Sequence, residues 1–173
     1  MTTKNFEEEK IEYLRKCSEI FSVIPIWPKS KKAVEEWKPW QKTKRIFCAE
    51  EFKHRNAGFV CGAVSNLVVL DVDYVELFNS FLKRHQLEIP NTYTVKTGKG
   101  FHYYFTIAGE SAAYKTKNLK TLGIDIQGEG SYVLAPFSIH PDTKEPYFVT
   151  NQTEMVAPPN WLKDIIFEPT PEQ

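Results

Sequence analysis

The chain has 173 residues, near the usual size of one domain, so we expect a single domain over residues 1–168 followed by a short tail or linker at 169–173. Apolar residues make up 42% of the sequence and charged residues 25%, which is typical of a folded globular protein and excludes a disordered chain or a membrane protein. Lysine plus arginine and aspartate plus glutamate both number 22, so a nucleic-acid partner would have to be held by a local basic surface.

The first predicted elements are a helix, a short strand and a basic segment. Apolar residues recur on one face of residues 5–21, and Asn5 with Glu8 three residues later has the pattern of a helix capping pair. The sequence SVIPIWP at 22–28 predicts a strand, and residues 29–44 form the most basic region. This region is a candidate surface for template phosphates, although a run of charge is more often a solvated face.

Two strands and a second helix are predicted next. Residues 56–61 and 67–72 have the composition of strands joined by the turn at 62–66, and the second strand is apolar enough to be central in a sheet. Amphipathic spacing then predicts a helix over residues 75–85. The residues predicted to be buried in this helix are Leu77, Phe78, Phe81 and Leu82.

Two hairpins are predicted in the second half of the chain. Residues 92–96 and 102–107 flank the turn TGKG, where the glycines are expected to supply positive φ angles. Residues 125–127 and 132–135 flank the turn GEGS in the same manner. The chain becomes proline-rich after Val156.

The cysteines and the apolar segments indicate in which cellular compartment the protein is found. Cys17, Cys48 and Cys61 are odd in number and form no CxxC pair, so we expect buried thiols in a reducing cytosol, with neither a disulfide framework nor a zinc site. The apolar runs are too short to span a bilayer, and the acidic start MTTKNFEEEK is unlike a signal peptide. We therefore expect a cytoplasmic protein with no membrane partner.

Asp71 and Asp73 are the first candidate metal ligands. They are two apart on a predicted strand, so both side chains lie on the same face of the sheet. In a buried strand an uncompensated pair of carboxylates is costly. A divalent cation relieves the repulsion, and hard cations such as Mg²⁺ or Mn²⁺ prefer carboxylate oxygens. The alternative is that Asp73 caps the helix at 75–85.

Asp125 is a third candidate ligand. The flanking Ile124 and Ile126 point to the opposite face of a strand, which leaves the carboxylate on its own face. If this strand lies beside the one that carries Asp71, three carboxylates converge and can hold a metal pair of the kind that acts in phosphoryl transfer. The alternative is that Asp125 is a turn residue.

Two further segments place polar side chains at turns. In TGKGFH, Thr97, Lys99 and His102 surround two glycines, a combination suited to phosphate binding, although a plain β-turn is the alternative and no P-loop pattern is present. In APFSIHP, Ser138 and His140 are two apart between prolines, which indicates a positioned pair. Because hydrolase and zinc-ligand patterns are missing from the sequence, we expect the histidines to hold phosphates or sugar.

Three motifs in one order carry a family resemblance. They are NAGFVCGAVSNLVVLDVD, TYTVKTGKGFHYYF and GIDIQGEGSYVLAPFSIHP, preceded by VIPIWPKSKKA and followed by PPNWL. Together they resemble the bifunctional primase-polymerase domain of the archaeo-eukaryotic primase superfamily, found in plasmid, phage and CRISPR-associated replication enzymes. The match spans about residues 23–162. It implies an α/β (α+β) core with an RRM-like antiparallel sheet packed with helices, and a small N-terminal α/β module beside one cleft.

The resemblance also implies roles for residues. The acidic hhDhD motif corresponds to Asp71 and Asp73 as metal ligands, and Asp125 would complete the site. His102 would contact the phosphates of the incoming nucleotide, with Thr97 in place of the family's frequent serine. The residues expected at the nucleotide are Thr97, Lys99, Gly100, His102, Ser138 and His140.

The function implied is template-directed nucleotidyl transfer, with two Mg²⁺ or Mn²⁺ ions as cofactors and no zinc. The expected partners are a DNA template and primer and a dNTP or NTP, with Lys115, Lys117 and Lys120 as further candidates for template phosphates. The zinc-binding stem and the helical or helicase domain of many family members are not visible. We therefore expect a minimal catalytic region of a longer replication or CRISPR-associated polypeptide.

Two other functions remain open. A metal-dependent nuclease would use the same carboxylates to activate water, although the glycine and histidine phosphate turn argues against it. A non-catalytic RRM-like module would stack bases on Tyr93, Tyr103 and Phe105 and would not need three aligned acids.

Overall fold

The computed structural model describes residues 5–107 and 114–168, so the predicted tail at 169–173 lies outside the described residues. Within the described ranges the chain forms three α-helices and nine strands, which pair into two antiparallel sheets. The predicted α+β class is therefore confirmed.

The bounds of the elements are as follows. The helices are α1 (Phe6–Cys17), α2 (Val75–His85) and α3 (Asn160–Phe167). The strands are β1 (Val23–Ile26), β2 (Asn56–Val60), β3 (Val68–Val72), β4 (Thr94–Lys96), β5 (Phe101–Phe105), β6 (Lys117–Leu119), β7 (Ile124–Gln127), β8 (Tyr132–Leu134) and β9 (Phe148–Asn151).

The predicted capping pair begins α1. The side chain of Asn5 accepts a hydrogen bond of 2.8 Å from the backbone N–H of Glu8, and it donates one of 3.3 Å to the Glu8 carboxylate. These bonds satisfy a donor that a helix start leaves without an intrahelical partner. The helix ends at Cys17, earlier than predicted, because Phe21 belongs to the buried core at the entry to β1.

The six-stranded sheet has the order β6-β7-β3-β5-β4-β9, so β3 is an interior strand, as its apolar sequence predicted. Val68, Leu70 and Val72 lie on one face and pack in the same cluster as buried side chains of α2 and α3. Val69 lies on the opposite face, in the cluster that contains the apolar residues of β1 and β2. Since side chains alternate along a strand, Asp71 shares the face of Val69 and points toward the smaller sheet.

The three-stranded sheet has the order β1-β2-β8. The predicted hairpin of residues 125–127 and 132–135 is wrong, because β7 pairs with β3 and β6 whereas β8 pairs with β2. The GEGS segment therefore crosses from one sheet to the other. The N-terminal module is completed by a strand from late in the chain, which places the two sheets beside each other.

The hairpin of β4 and β5 is confirmed, with Lys96 opposite Phe101. Its glycines, however, do not have the predicted positive φ angles, which occur at other glycines. Glycine is required at these two positions because there is no room for a side chain. A Cβ on Gly100 would lie 1.7 Å from the backbone oxygen of Val72, and one on Gly98 would lie 2.5 Å from the ring of His140. The turn is thus pressed against the end of β3.

The helix α2 has the predicted bounds, and Phe78 is buried in it. Leu77 is 43% exposed, so that part of the burial prediction is wrong. The strands β6 and β9 and the helix α3 were not predicted.

Cys48 is exposed, contrary to prediction, whereas Cys61 is buried. None of the helices in the described part of the chain combines the length and apolarity needed to cross a membrane.

Candidate active site

A row of polar side chains crosses four strands at the centre of the six-stranded sheet. Asp71 on β3 is paired with His102 on β5 at one side and with Asp125 on β7 at the other. Asp125 is paired in turn with Asn118 on β6. Directly paired residues project from the same face, so the row reads His102, Asp71, Asp125, Asn118. Three of these residues were candidates from the sequence, and Asn118 was missed because its strand was not predicted.

Asp73 joins this row from the residue that follows β3. Carboxylate oxygens of Asp71, Asp73 and Asp125 all lie within 4.8 Å of one another. The alternative that Asp73 caps α2 is wrong, because Tyr74 is the N-cap residue and α2 has no side-chain capping hydrogen bond among the described residues. The three predicted ligands therefore converge.

The electrostatics of the cluster reflect crowding of negative charge. Burial raises the pKa of Asp125, and the neighbouring Asp71 and Asp73 raise it further. Burial and then the charge of Asp71 raise the pKa of Asp73 in the same way. Burial also acts to raise the pKa of Asp71, but the imidazole of His102 outweighs it, so the net pKa of Asp71 is lowered. One acid is thus held ionised beside two that resist ionisation.

A divalent cation fits this donor set. The Oδ1 atom of Asp71 lies 3.3 Å from Nε2 of His102, yet it is buried and has no hydrogen-bond donor among the described residues. A buried acceptor without a donor is costly, and a cation would satisfy it. Three carboxylates are also the oxygen ligands that Mg²⁺ and Mn²⁺ prefer. Asp71, Asp73 and Asp125 are therefore the residues that could hold a metal.

A small polar cavity of about 100 Å³ opens at the His102 end of the row, between the two sheets. Asp71, His102 and Gln127 line it from the larger sheet, and Lys31 and Tyr132 line it from the other side. The Tyr132 hydroxyl donates to the backbone oxygen of Lys31 and so holds that segment in place. The cavity brings a cation and an imidazole next to the carboxylates.

Lys31 is the functional candidate that sequence reasoning did not single out. Its charge acts on all three aspartates of the cluster. In the sequence it was one of several lysines in the basic region at 29–44, and nothing local distinguished it from the others. The usable signal was its place in the segment VIPIWPKSKKA, which precedes the first strands of the matched motifs.

The TGKG turn supports the site through its backbone. The Thr97 hydroxyl accepts a hydrogen bond of 2.9 Å from the backbone N–H of Gly100, which closes the turn. That N–H is buried and already donates to Thr97, so it is not available to bind a phosphate. Lys99 is exposed and lies 3.3 Å from a carboxylate oxygen of Asp142. Lys99 is therefore an exposed, ion-paired cation of this turn.

Ser138 and His140 are buried behind the cavity. The Ser138 hydroxyl accepts from the backbone N–H of Ala57 at 3.0 Å and donates to its carbonyl at 3.1 Å. Nδ1 of His140 accepts from the backbone N–H groups of Asp142 at 3.0 Å and Thr143 at 3.2 Å. Burial, with Lys31 adding to it, lowers the pKa of His140. Both side chains are thus engaged with backbone groups.

Tyr147 connects this layer to the row of polar side chains. Its ring stacks on His140 with a centroid separation of 5.8 Å and meets His102 edge-on at the same separation. His102 is consequently packed from behind, and its position beside Asp71 is fixed. His140 contributes to the site through this contact.

A second cavity, of about 400 Å³, opens at the Asn118 end of the row. Asp73 and Asp125 form its inner wall, and Lys120 is the candidate template lysine that lines it. Lys117 points elsewhere, because its ammonium group donates to backbone oxygens at the end of α3. The carboxylates therefore have a cavity on each side.

The stacking platform of a non-catalytic RRM-like module is not formed as predicted. Phe105 is fully buried, and the Tyr93 hydroxyl is hydrogen-bonded at 2.6 Å to that of Tyr13. A larger cavity of about 710 Å³ lies along α1 and is lined in part by Tyr93, but its surface is mainly apolar and it includes none of the residues predicted to bind metal or nucleotide. The two smaller cavities are the ones lined by the three aspartates.

A comparison with curated proteins found no match to this chain. A comparison with protein families gave one that covers most of it. The family model Prim-Pol, described as "Bifunctional DNA primase/polymerase, N-terminal", matches residues 14–161. The matched range includes both sheets, all three carboxylates and both cavities. The chain therefore belongs to the bifunctional DNA primase/polymerase family.

Proposed function

We propose that this protein is a template-dependent DNA primase or polymerase that transfers nucleotides from dNTPs or NTPs to a 3′-hydroxyl group. The observation that carries the proposal is the cluster of three carboxylates with a cationic cavity beside it, in a chain of the primase/polymerase family. In the reaction the 3′ oxygen forms a bond to the α-phosphorus, and the bond from that phosphorus to pyrophosphate breaks.

The carboxylates have the central role in this proposal. Asp71, Asp73 and Asp125 would bind Mg²⁺ or Mn²⁺, which when bound supplies positive charge at the attacking and leaving oxygens. Asp71 suits a permanent ligand because its pKa is lowered, burial being outweighed by His102. Asp73 and Asp125 suit ligands whose ionisation is favoured by the cation they hold.

The cationic side chains around the small cavity would hold the triphosphate. Lys31 and His102 line the cavity, and Lys99 of the TGKG turn, which is ion-paired with Asp142, would be a further cation for the phosphates. Phosphate oxygens are well matched by ammonium and imidazole donors. Ser138 and His140 would support this arrangement from behind by fixing the backbone and, through Tyr147, the ring of His102.

A primer-extension assay tests the proposal. A labelled primer annealed to a longer template, incubated with the protein, Mn²⁺ or Mg²⁺ and either dNTPs or NTPs, is expected to lengthen in a template-dependent manner. Shortening of the labelled strand without added nucleotide would instead identify a nuclease. If the protein binds nucleic acid equally well with and without metal ions and the strand length does not change, it is a binding module and the proposal is contradicted.

The substitution His102→Ala tests the triphosphate site. His102 lines the small cavity, and its Nδ1 atom is buried without a hydrogen-bond partner among the described residues. Loss of a contact to a charged phosphate, worth about 1.5–3 kcal/mol, should raise the KM for the nucleotide about ten- to a hundredfold. Steady-state kinetics over a range of nucleotide concentrations measure this.

The matched control is His85→Ala, which removes an exposed histidine from the end of α2. It is expected to leave the KM for the nucleotide unchanged. If His102→Ala leaves that KM unchanged and weakens only the response to Mn²⁺, then His102 positions Asp71 and is not a phosphate ligand.

A further inference from the structure

An exposed aromatic ring stands at the mouth of the second cavity. Tyr74 is 67% exposed and Leu77, one turn further along α2, is 43% exposed. Both line the cavity whose inner wall is formed by Asp73 and Asp125. Together they form an exposed apolar patch rimmed by polar side chains, and such patches mark ligand-binding grooves.

The backbone of Tyr74 is held in place by hydrogen bonds, although its side chain is exposed. The backbone N–H groups of Asp73 and Tyr74 both donate to the carbonyl of Gly123 at 3.2 Å. Gly123 has a φ of +73°, and a Cβ at that position would lie 2.8 Å from the Cβ of Tyr74. Only glycine fits this contact comfortably. The ring is therefore presented from a fixed point next to the carboxylates.

The two cavities differ in chemistry. The small cavity at the His102 end carries Lys31 and an imidazole, which suit phosphates. The second cavity carries the exposed Tyr74 ring, the apolar Leu77 and an amide, Asn118, with Lys120 at its edge. An aromatic face next to a single cation suits a nucleic-acid base and its backbone phosphate.

Nucleotidyl transfer needs two substrates on opposite sides of the carboxylates. The triphosphate must lie on one side with its pyrophosphate directed away, and the 3′-hydroxyl must approach from the other. Because the small cavity suits the triphosphate, the second cavity is left for the strand that carries the 3′-hydroxyl. This step rests on the proposed function.

We propose that the cavity between α2 and β6 binds the 3′-terminal nucleotide of the primer, with Tyr74 stacking on its base. Leu77 extends the apolar surface under the base, and Lys120 contacts a backbone phosphate. Base stacking on an aromatic side chain tolerates any sequence, because every base has a π-face. The site thus fits a primer end of any sequence.

The test uses a primer with 2-aminopurine at its 3′ end, annealed to a template and titrated with the full chain in Ca²⁺. Stacking on an aromatic ring quenches 2-aminopurine fluorescence, so binding can be followed without catalysis. Tyr74→Ala is expected to remove the quenching and to weaken primer binding about five- to a hundredfold. Tyr74→Phe, which keeps the ring, should retain both. In extension assays Tyr74→Ala should raise the KM for the primer while leaving the KM for the nucleotide unchanged.

The matched control is Phe148→Ala, which removes a 52% exposed ring from β9 at the other edge of the same sheet. It should leave primer binding and quenching unchanged. If the unmodified protein extends primers but Tyr74→Ala binds and quenches them as before, the primer subsite is wrong while the proposed function stands. A rise in the KM for the nucleotide instead would assign Tyr74 to the incoming nucleotide and overturn the inference. If the unmodified protein extends no primer, the proposed function itself fails.

Discussion

Asp71→Asn is expected to abolish nucleotide incorporation while the protein stays folded. The substitution keeps the shape of the side chain but removes the one carboxylate of the cluster whose pKa is lowered, burial being outweighed by His102. Loss of a ligand forfeits several kcal/mol of charge stabilisation in the transition state, so the rate should fall about a thousandfold or more. Single-nucleotide primer extension in Mn²⁺ measures the rate, and circular dichroism with a thermal melt checks the fold.

Asp164→Asn provides the control for Asp71→Asn, because Asp164 is an exposed acid on α3 outside the cluster. Its activity and melting temperature should match those of the unmodified protein. An Asp71→Asn protein that extends primers at close to the normal rate would show that the carboxylate cluster is not the catalytic centre.

Asp125→Asn is expected to separate stability from function. Burial, followed by the charges of Asp71 and Asp73, raises the pKa of Asp125. A folded-state pKa above the unfolded value means that this group opposes folding once it is ionised. The asparagine variant should therefore be equally or slightly more stable without metal at neutral pH, by less than about 1 kcal/mol because solvent screens the partly exposed group. It should also lose nearly all activity and bind Mn²⁺ more weakly.

The difference in free energy of unfolding between Asp125→Asn and the unmodified protein should depend on pH. At a pH below the ordinary carboxyl value both proteins carry a neutral group at position 125 and should have similar free energies of unfolding. As the pH rises through the raised pKa of Asp125, only the unmodified protein acquires the unfavourable charge, so the variant should gain relative stability. Denaturant melts in EDTA and in Mn²⁺ test both effects. A variant that is less stable without metal yet remains active would show that Asp125 stabilises a turn and is not a ligand.

The elements set by local sequence were predictable. The bounds of α2 follow from the spacing of its apolar residues, and the hairpin of β4 and β5 forms where it was predicted, although its glycines lack the positive φ angles expected of them. From the sequence, we could say only that Asp71 and Asp125 would converge if their strands were neighbours in the sheet. It depends on β7 pairing with β3, and this choice of partner is made by packing between distant parts of the chain.

The same dependence on distant packing explains what was missed. The segment at 125–135 has the local pattern of a hairpin, but its two strands pair in different sheets. β7 pairs with β3 in the larger sheet, whereas β8 pairs with β2 and completes the smaller sheet. Lys31 reaches the site only because that smaller sheet lies over the larger one. The local sequence predicts a positive φ at Gly100, whereas the actual constraint on this residue is the backbone carbonyl of Val72 on another strand.

The central claim is that Asp71, Asp73 and Asp125 together hold the cation used in nucleotidyl transfer. Its most direct test is a crystal structure with Mn²⁺, a non-hydrolysable nucleotide and a primed template, with the ion located from its anomalous scattering. We predict an anomalous peak in contact with oxygens of all three aspartates, and the triphosphate beside Lys31 and His102. A nucleotide-bound Mn²⁺ that contacts none of these aspartates would contradict the claim.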